Sequence, residues 1–424
     1  MITLGCPKNV VDSEALMGQM RVNGIELGGD IDDADVVVIN TCGFIDAARA
    51  ESIDVIVETI HQKKSAKLKK VYVMGCLVER YKGELKKEIP EVDGFFGTHE
   101  IPALLEELGA RYRFDMIGER VLTTPPHYAY VKISEGCDNP CSFCAIPLMR
   151  GKHVSRPMEE ILKEVELLSA RGVKEIVAIG QDTTAFGLDA GGKRVLAALL
   201  KELSAVNGIQ WIRLMYTYPA KFPLDVLELF EPPSRLCRYI DMPIQHISDN
   251  VLRSMHRGMS GRATRKLLRT IRNRVPDIAL RTTLIVGYPA ESDGDFEELY
   301  DFVGEERFER LGVFPYSHEE GTTAFDLGNP VPEEVKQERL SRIMELQRGI
   351  SEARNQRLIG KTMKVLIDRE DQGMFVGRTE ADAPEIDNEV YCRGEGARCG
   401  EFSQVVISDA VEYDLYGDIK ERLS

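Results

Sequence analysis

The feature that most constrains the fold is a strand–helix unit that repeats three times in the first 120 residues, with a cysteine closing each strand. Short apolar runs, typical of buried parallel strands, predict strands at Ile2–Leu4, Val36–Asn40 and Val71–Met74. Helical patterns follow them at Val10–Val22, Ile45–His61 and Val78–Lys87. Cys6, Cys42 and Cys76 stand 36 and 34 residues apart, about one βαβ unit each. Since parallel strands end at one sheet edge, we expect these three thiols to meet there.

A second α/β region follows a linker at Thr123–Pro126. Six strands are predicted, at Tyr128–Ser134, Glu175–Gly180, Trp211–Tyr216, Tyr239–Ile244, Ala279–Val286 and Leu311–Tyr316. The helical patterns between them lie at Met158–Arg171, Val195–Val206, Leu224–Phe230, Ala263–Arg274 and Phe296–Glu305. Six βα repeats predict a partial (β/α)6 barrel, with its chemistry at the carboxyl ends of the strands.

The last 65 residues change character after a long charged helix predicted at Glu333–Leu358. Strand patterns separated by turn residues occur at Met363–Ile367, Met374–Arg378, Glu389–Cys392 and Gln404–Ile407, and they predict a small antiparallel β barrel. The fold class is therefore α/β: an N-terminal parallel α/β domain, a partial barrel and a C-terminal β barrel. We expect the domains to span residues 1–122, 123–358 and 359–424.

Composition restricts the classes of function. The net charge is −15, with 43% hydrophobic and 29% charged residues, which is ordinary for a globular protein. No apolar run approaches the length of a membrane span, and the N-terminus lacks a basic segment followed by an apolar one. We therefore expect a cytoplasmic protein with no membrane partner, for which nucleic acid is an unlikely direct substrate. The nine cysteines are not expected to form disulfides.

The strongest chemical signal is the run Cys137-Asp138-Asn139-Pro140-Cys141-Ser142-Phe143-Cys144 directly after the first predicted barrel strand. Three closely spaced thiolates suit a [4Fe–4S] cluster that keeps one iron without a protein ligand. Structural zinc usually takes four ligands in two pairs, although His153 is available as a fourth. Three ordinary packed cysteines are the remaining alternative.

This run resembles the signature of radical S-adenosylmethionine enzymes. The segments around Cys6, Cys42 and Cys76 are similar to the N-terminal domain of the methylthiotransferases within that superfamily. The resemblance covers essentially the whole chain and implies a C-terminal TRAM domain. It also implies two [4Fe–4S] clusters: one on Cys137, Cys141 and Cys144 that binds S-adenosylmethionine, and an auxiliary one on Cys6, Cys42 and Cys76 involved in supplying sulfur.

The family has branches that modify a tRNA adenosine and one that modifies an aspartate of a ribosomal protein. Residues 1–125 and 360–424 carry net charges of −6 and −7, and five acids lie between Glu380 and Glu389 without a base. An acidic surface favours a basic partner, as ribosomal proteins are, although a solvated face that binds nothing is an alternative. The local sequence resembles that of the ribosomal-protein branch in four segments: Gly5–Glu14, Ile146–Gly151, Asp241–His246 and Ala381–Asp387.

That resemblance implies methylthiolation at the β-carbon of one aspartate in small-subunit ribosomal protein S-twelve, with S-adenosylmethionine as methyl donor and radical source and with an electron donor as partner. A tRNA adenosine methylthiotransferase is the nearest alternative. A non-enzymatic iron–sulfur carrier or sensor and a zinc-stabilised binding module are alternatives from other classes.

Further candidates lie at predicted strand ends. Ile179–Asp182 and Val286–Pro289 suit contacts to S-adenosylmethionine, or are simple tight turns. Gln245 could face cofactor or substrate, whereas His246 is more readily structural. Arg150 is a candidate for holding a carboxylate. No individual catalytic residue is predicted, and the three cysteines outside the two sets are expected to be ordinary thiols: Cys237, Cys392 and Cys399.

Overall fold

The structure, a computed structural model, describes residues 1–63, 68–114, 116 and 118–423. Its first sheet has four parallel strands in chain order: β1 (Ile2–Thr3), β2 (Val36–Thr41), β3 (Lys70–Gly75) and β4 (Gly94–Phe96). The accompanying helices are α1 (Pro7–Val22), α2 (Asp46–Lys63), α3 (Cys76–Glu88) and α4 (Ile101–Glu107). The parallel N-terminal sheet is confirmed, and β4 was not predicted. With only three residues, Gly-Phe-Phe, it is too short to show a period.

The second sheet has six parallel strands. Its first strand is β5 (Tyr128–Lys132), after which the short strands β6 (Ser134–Glu135) and β7 (Val154–Ser155) pair with each other. The other five are β8 (Glu175–Ile179), β9 (Trp211–Leu214), β10 (Leu236–Asp241), β11 (Ala279–Val286) and β12 (Arg310–Pro315). They neighbour one another in chain order from β5 to β12, which confirms the open barrel of six βα repeats.

Helices cover the outer face of this sheet, against which the largest apolar cluster of the chain packs. The helices on this face are α6 (Met158–Ala170), α8 (Leu196–Ala205), α10 (Gly261–Arg274), α11 (Asp293–Glu306) and α12 (Glu333–Asn355), whereas the short helices α5 (Ile146–Arg150), α7 (Leu188–Gly191) and α9 (Asp249–Ser254) lie elsewhere. Short 3₁₀ turns occupy Thr183–Ala185, Leu224–Phe230, Phe325–Leu327 and Gln356–Leu358. The helix predicted at Leu224–Phe230 is therefore a 3₁₀ segment. No helix of the described residues is long and apolar enough to span a bilayer.

The C-terminal barrel is closed and has five strands. They are β13 (Thr362–Asp371), β14 (Met374–Arg378), β15 (Val390–Arg393), β16 (Phe402–Ala410) and β17 (Leu415–Leu423). The predicted barrel is confirmed with one correction: β15 and β17 pair in parallel, so the barrel is not purely antiparallel. The fifth strand was not predicted because its polar, charged stretch Gly417–Arg422 hides the alternation on which strand prediction relies.

The C-terminal barrel is docked on the six-stranded sheet at the first residues of its strands. Trp211 packs edge-on against Phe402, with ring centroids 4.8 Å apart. Glu175 lies between two buried guanidinium groups, 2.7 Å from Arg213 Nε and 2.9 Å from Arg378 Nη1. This end of the barrel interior is therefore closed by the C-terminal domain.

The acidic segment between Glu380 and Glu389 is the loop that makes this closure. Glu385 accepts hydrogen bonds from the hydroxyls of Tyr128 and Tyr130, Asp387 accepts one from Tyr239, and Asp382 binds Arg310. The other two acids, Glu380 and Glu389, lie against Arg238 and Arg369. The sequence-based interpretation of these acids as a free acidic surface was wrong in that each has a partner within the chain, although Glu380, Glu385 and Glu389 stay partly exposed.

Candidate cluster-binding and substrate site

The three N-terminal cysteines lie at one edge of the first sheet. Cys6 immediately precedes α1, Cys42 follows β2, and Cys76 opens α3 directly after β3. Asn9 ties these three points together: its Nδ2 donates to Leu4 O at 2.8 Å and Thr41 O at 3.0 Å, and its Oδ1 is 3.9 Å from Cys76 Sγ. The sheet thus gathers the thiols as its topology predicts.

Close packing at this edge requires glycine at position 5. Gly5 has φ +87°, and a Cβ added there would lie 2.6 Å from Cys42 Cβ and 3.0 Å from its sulfur. A side chain therefore meets both backbone strain and a clash with a thiol-bearing carbon.

We expect Gly5→Ala to disturb the thiol edge and to reduce the iron bound by the anaerobically prepared protein from about eight to about four atoms per chain, the content of one four-iron cluster. Gly24→Ala is the matched control, because Gly24 also has positive φ (+78°) but no atom within 4 Å of an added Cβ. Equal iron contents in the two variants would contradict the steric argument.

Burial makes free thiolates unfavourable at the N-terminal edge. It raises the pKa of Cys42 and raises that of Cys76 to about 12, with the neighbouring Cys6 adding to both shifts and Arg150 opposing them. The mutual influence shows that the three sulfurs lie within electrostatic range. A metal centre stabilises thiolates in such surroundings, so the donor set fits a buried iron–sulfur cluster.

The second set of cysteines lies on the loop between β6 and α5. Cys137 is anchored by its backbone N–H, which donates to Gly151 O at 3.1 Å, and the Cys144 N–H donates to Cys141 O at 3.1 Å. Asn139 Nδ2 donates to Cys137 Sγ at 3.4 Å. Arg257 Nη1 donates to Cys141 Sγ at 3.2 Å. The loop is thus held by side chains from both neighbouring and distant parts of the barrel.

Burial and neighbouring sulfurs raise the pKa values of thiols in this second set as well. Burial raises the pKa of Cys137 to about 11 and that of Cys144 to about 12, and Cys141 adds to both shifts. Within the part of the chain that the structure describes, no three His, Cys, Asp or Glu side chains are placed to hold a single metal ion. In a [4Fe–4S] cluster each cysteine binds its own iron.

A network of charges lies beside Cys76, with Arg150 at its centre. Arg150 Nε donates to Cys76 Sγ at 3.2 Å and its Nη1 donates to Asp12 at 2.6 Å and Glu135 at 3.3 Å. Lys132 binds the same two carboxylates at 2.5 and 2.6 Å. Arg150 is thus paired with two carboxylates of the chain itself.

The network sets the charge state of its members. Burial raises the pKa of Asp12, but Lys132 and Arg150 outweigh it and lower that pKa overall. The same two cations lower the pKa of Glu135 against its burial. Both carboxylates are therefore ionised and hold Arg150 against Cys76.

The predicted strand-end segments surround the Cys137 loop. Asp182 Oδ2 accepts from Asn139 at 2.8 Å, and Gln181 Nε2 donates to Glu135 at 2.6 Å while its Oε1 is buried without a hydrogen-bond partner. The hydroxyl groups of Tyr288 and Ser142 are hydrogen-bonded at 2.9 Å. The Gly180–Asp182 turn thus touches the loop and is more than a tight turn.

Gln245 and His246 behave differently from each other. Gln245 has φ +71° and a buried Oε1 without a hydrogen-bond partner among the described residues, which leaves an acceptor available to a bound molecule. His246 is fully buried, accepts from the Ser248 N–H at 3.1 Å and lies 3.3 Å from Glu291.

The remaining three cysteines lie away from both sets. Cys237 is buried on β10, Cys392 is buried on β15, and Cys399 is exposed. The most important residues that sequence reasoning did not single out are Asp12, Lys132 and Glu135. Asp12 belongs to a quoted segment, but its partner Arg150 is 138 positions away, and no local pattern links such residues.

Three family models match the chain. An uncharacterized protein family, UPF0004, matches residues 1–97, the radical SAM superfamily matches residues 131–303, and the TRAM domain matches residues 359–419. The matches fall on the first sheet, the six-stranded barrel and the C-terminal β barrel, respectively.

Full-length relatives identify the branch. The chain is 53% identical over 423 residues to the ribosomal protein uS12 methylthiotransferase RimO of Cytophaga hutchinsonii, covering 99% of this chain and 97% of the relative. It is 51% identical over 424 residues to the RimO protein of Chloroherpeton thalassium, covering 99% and 98%. The chain belongs to the RimO family. Its two cysteine sets are therefore those of a RimO-family protein with a radical SAM domain.

Solved structures resemble this RimO-family chain in fold. The radical S-adenosylmethionine methyltransferase TsrM from Kitasatospora setae matches with a TM-score of 0.53 at 15% identity, covering 74% of this chain and 72% of TsrM. The cobalamin-dependent radical enzyme OxsB matches with a TM-score of 0.51 at 13% identity, covering 81% and 54%. At such identities the likeness concerns the fold alone.

Proposed function

We propose that this chain attaches a methylthio group to the β-carbon of an aspartate in small-subunit ribosomal protein S-twelve. The observation that carries the proposal is the presence of two separate three-cysteine sets, one at the edge of the first sheet and one on the loop after β6, in a chain whose full-length relatives at about half identity are RimO proteins. We assign one [4Fe–4S] cluster to Cys137, Cys141 and Cys144, and an auxiliary one to Cys6, Cys42 and Cys76.

When bound, the clusters and S-adenosylmethionine supply the radical that removes hydrogen from an unactivated C–H bond and the sulfur that replaces it. The chain's own residues organise the space between the thiol sets. Arg257 and Asn139 orient the Cys137 loop through its sulfurs. Arg150 fixes Cys76 relative to Asp12 and Glu135. The unpaired Oε1 atoms of Gln181 and Gln245 offer acceptors to bound molecules.

We assign the auxiliary cluster to residues 1–122, the cluster that binds S-adenosylmethionine to residues 123–358, and the TRAM domain to residues 359–424. A one-electron donor is required as a partner, because the radical step consumes an electron. Since the proposed substrate is a ribosomal protein, the chain would act in the cytoplasm. Nucleic acid is not proposed as the direct substrate, because the chain carries a net charge of −15, which opposes binding to phosphates.

The test is a pair of assays run in parallel with the anaerobically reconstituted protein, S-adenosylmethionine and a chemical reductant. We expect purified S-twelve to gain the mass of one methylthio group in place of one hydrogen, and unmodified tRNA to gain none. Modification of tRNA alone would contradict the proposal in favour of the tRNA branch. Absence of 5′-deoxyadenosine, together with reversible redox behaviour, would favour an iron–sulfur carrier.

A further inference from the structure

Lys8 carries a buried ammonium that has no acidic partner among the described residues. It lies in the first turn of α1, two positions after Cys6, and is only 7% exposed. Its Nζ lies 3.0 Å from the centroid of the Tyr216 ring. Among the residues that the structure describes, no carboxylate lies within ion-pair distance of Lys8 and no hydrogen-bond acceptor is recorded for it. Burying a charge in this way is costly unless a partner arrives.

The carboxylates nearest to Lys8 are bound by other groups. Asp241 and Glu135 both act on Lys8 electrostatically. Asp241 accepts from Arg281 at 2.9 Å and from the backbone N–H of Tyr216 at 3.0 Å. Glu135 is held by Lys132, Arg150 and Gln181. Neither carboxylate is therefore free to pair with Lys8.

The other cations around this space are already paired. Arg150 and Lys132 each bind both Asp12 and Glu135, and Arg281 binds Asp241 and lies 3.4 Å from Asp387. Of these four cations, Lys8 is the one that has no carboxylate partner among the described residues.

The residue whose ring lies beneath Lys8 has a strained backbone conformation. Tyr216, two residues beyond the end of β9, has φ +57°, a left-handed conformation that costs a non-glycine residue free energy and is often found at functional sites. The Asp241 carboxylate, itself fixed by Arg281, holds the Tyr216 N–H in place. The ring is therefore held at the carboxyl end of a barrel strand, where barrel sites bind their ligands.

Lys8 consequently lies where the N-terminal domain meets the barrel. Cys6 immediately precedes the helix that carries Lys8, and the ring partner of Lys8 belongs to the barrel that carries Cys137, Cys141 and Cys144. We infer that the Lys8 ammonium binds the carboxylate of the target aspartate and so positions its β-carbon between the two cluster sites. The inference rests on the proposed function and assigns Lys8 as a positioning residue that selects an acidic side chain.

The test compares binding of two forms of S-twelve to the reconstituted holoenzyme: the natural protein, and a form with asparagine at the target aspartate. We expect the unaltered enzyme to bind the aspartate form more tightly by about 10- to 100-fold, the value of a hydrogen bond between charged groups. Lys8→Met is expected to remove that preference, and Lys8→Arg to restore most of it. In turnover, Lys8→Met should raise KM for S-twelve more than it lowers kcat.

Lys364→Met is the matched control, because Lys364 also stacks on a ring, 3.9 Å from the Phe402 centroid, at the opposite end of the barrel. It should keep the preference for aspartate. Iron and sulfide contents are measured for every variant, and a loss of iron in Lys8→Met would assign Lys8 to the auxiliary cluster and overturn the inference.

Two further results would overturn the inference and leave the proposed function intact. One is equal weakening of both S-twelve forms by Lys8→Met. The other, which needs no variant, is an unaltered enzyme that modifies S-twelve but binds its aspartate and asparagine forms equally. Failure of the unaltered enzyme to modify S-twelve would instead overturn the proposed function.

Discussion

Replacing Cys6, Cys42 and Cys76 together by alanine is expected to abolish methylthiolation of S-twelve while leaving cleavage of S-adenosylmethionine in place. The three thiols occupy one sheet edge and the Cys137 loop occupies another domain, so loss of one set need not disturb the other. Iron should fall from about eight to about four atoms per chain. Iron analysis, 5′-deoxyadenosine formation and the mass of S-twelve measure the three quantities separately.

Cys392→Ala serves as the control for removing a buried thiol. Cys392 is fully buried in the C-terminal barrel and belongs to neither set, so about eight irons and full methylthiolation should remain. An N-terminal triple variant that still holds about eight irons would refute the auxiliary site. A triple variant that loses iron yet still modifies S-twelve would refute its role in supplying sulfur.

Glu175→Gln is expected to destabilise the junction between the barrel and the C-terminal domain by about 3 kcal/mol or more, the usual cost of breaking a buried ion pair. The substitution keeps the shape of the side chain but removes the charge between Arg213 and Arg378, all three side chains being no more than 3% exposed. Urea unfolding followed by tryptophan fluorescence reports on this junction, because Trp211 is the single tryptophan and packs against Phe402.

Glu297→Gln is the control for loss of a carboxylate at an exposed pair. Glu297 binds Arg342 on the surface, where ion pairs contribute little, so the urea midpoint should not change measurably. A Glu175→Gln midpoint equal to that of the control would mean that the buried triad does not hold the two domains together.

Much of the fold was accessible from the sequence because its strands are short, apolar and regularly spaced. Ala279–Val286 and Met374–Arg378 were predicted to the residue. Strand ends were less accurate where tertiary contacts decide them: β9 ends at Leu214, before the left-handed Tyr216 that Asp241 holds. Strands that lack an apolar signature, such as Leu415–Leu423, were not found.

The candidate site also has a part that the sequence predicts and a part that it does not. Residue type and spacing identify cysteines as candidate ligands, so both thiol sets could be predicted from the sequence. The roles of the charged residues near the sets could not be predicted, because the contacts of Lys8, Asp12 and Arg150 are made with residues on other elements. The acids at 380–389 were misinterpreted for the same reason, since a count of charges does not reveal that Arg310 and Tyr239 bind two of them.

The loop at 380–387, inserted into the mouth of the six-stranded barrel, restricts how this architecture can be recombined. A chimera that joins the barrel of one relative to the C-terminal domain of another must carry matching tyrosine and arginine partners for Glu385, Asp387 and Asp382. Without them, the graft would bury the carboxylates of Asp382 and Asp387 unpaired inside the recipient. The natural unit for module exchange is therefore the C-terminal domain together with the strand starts that receive its loop.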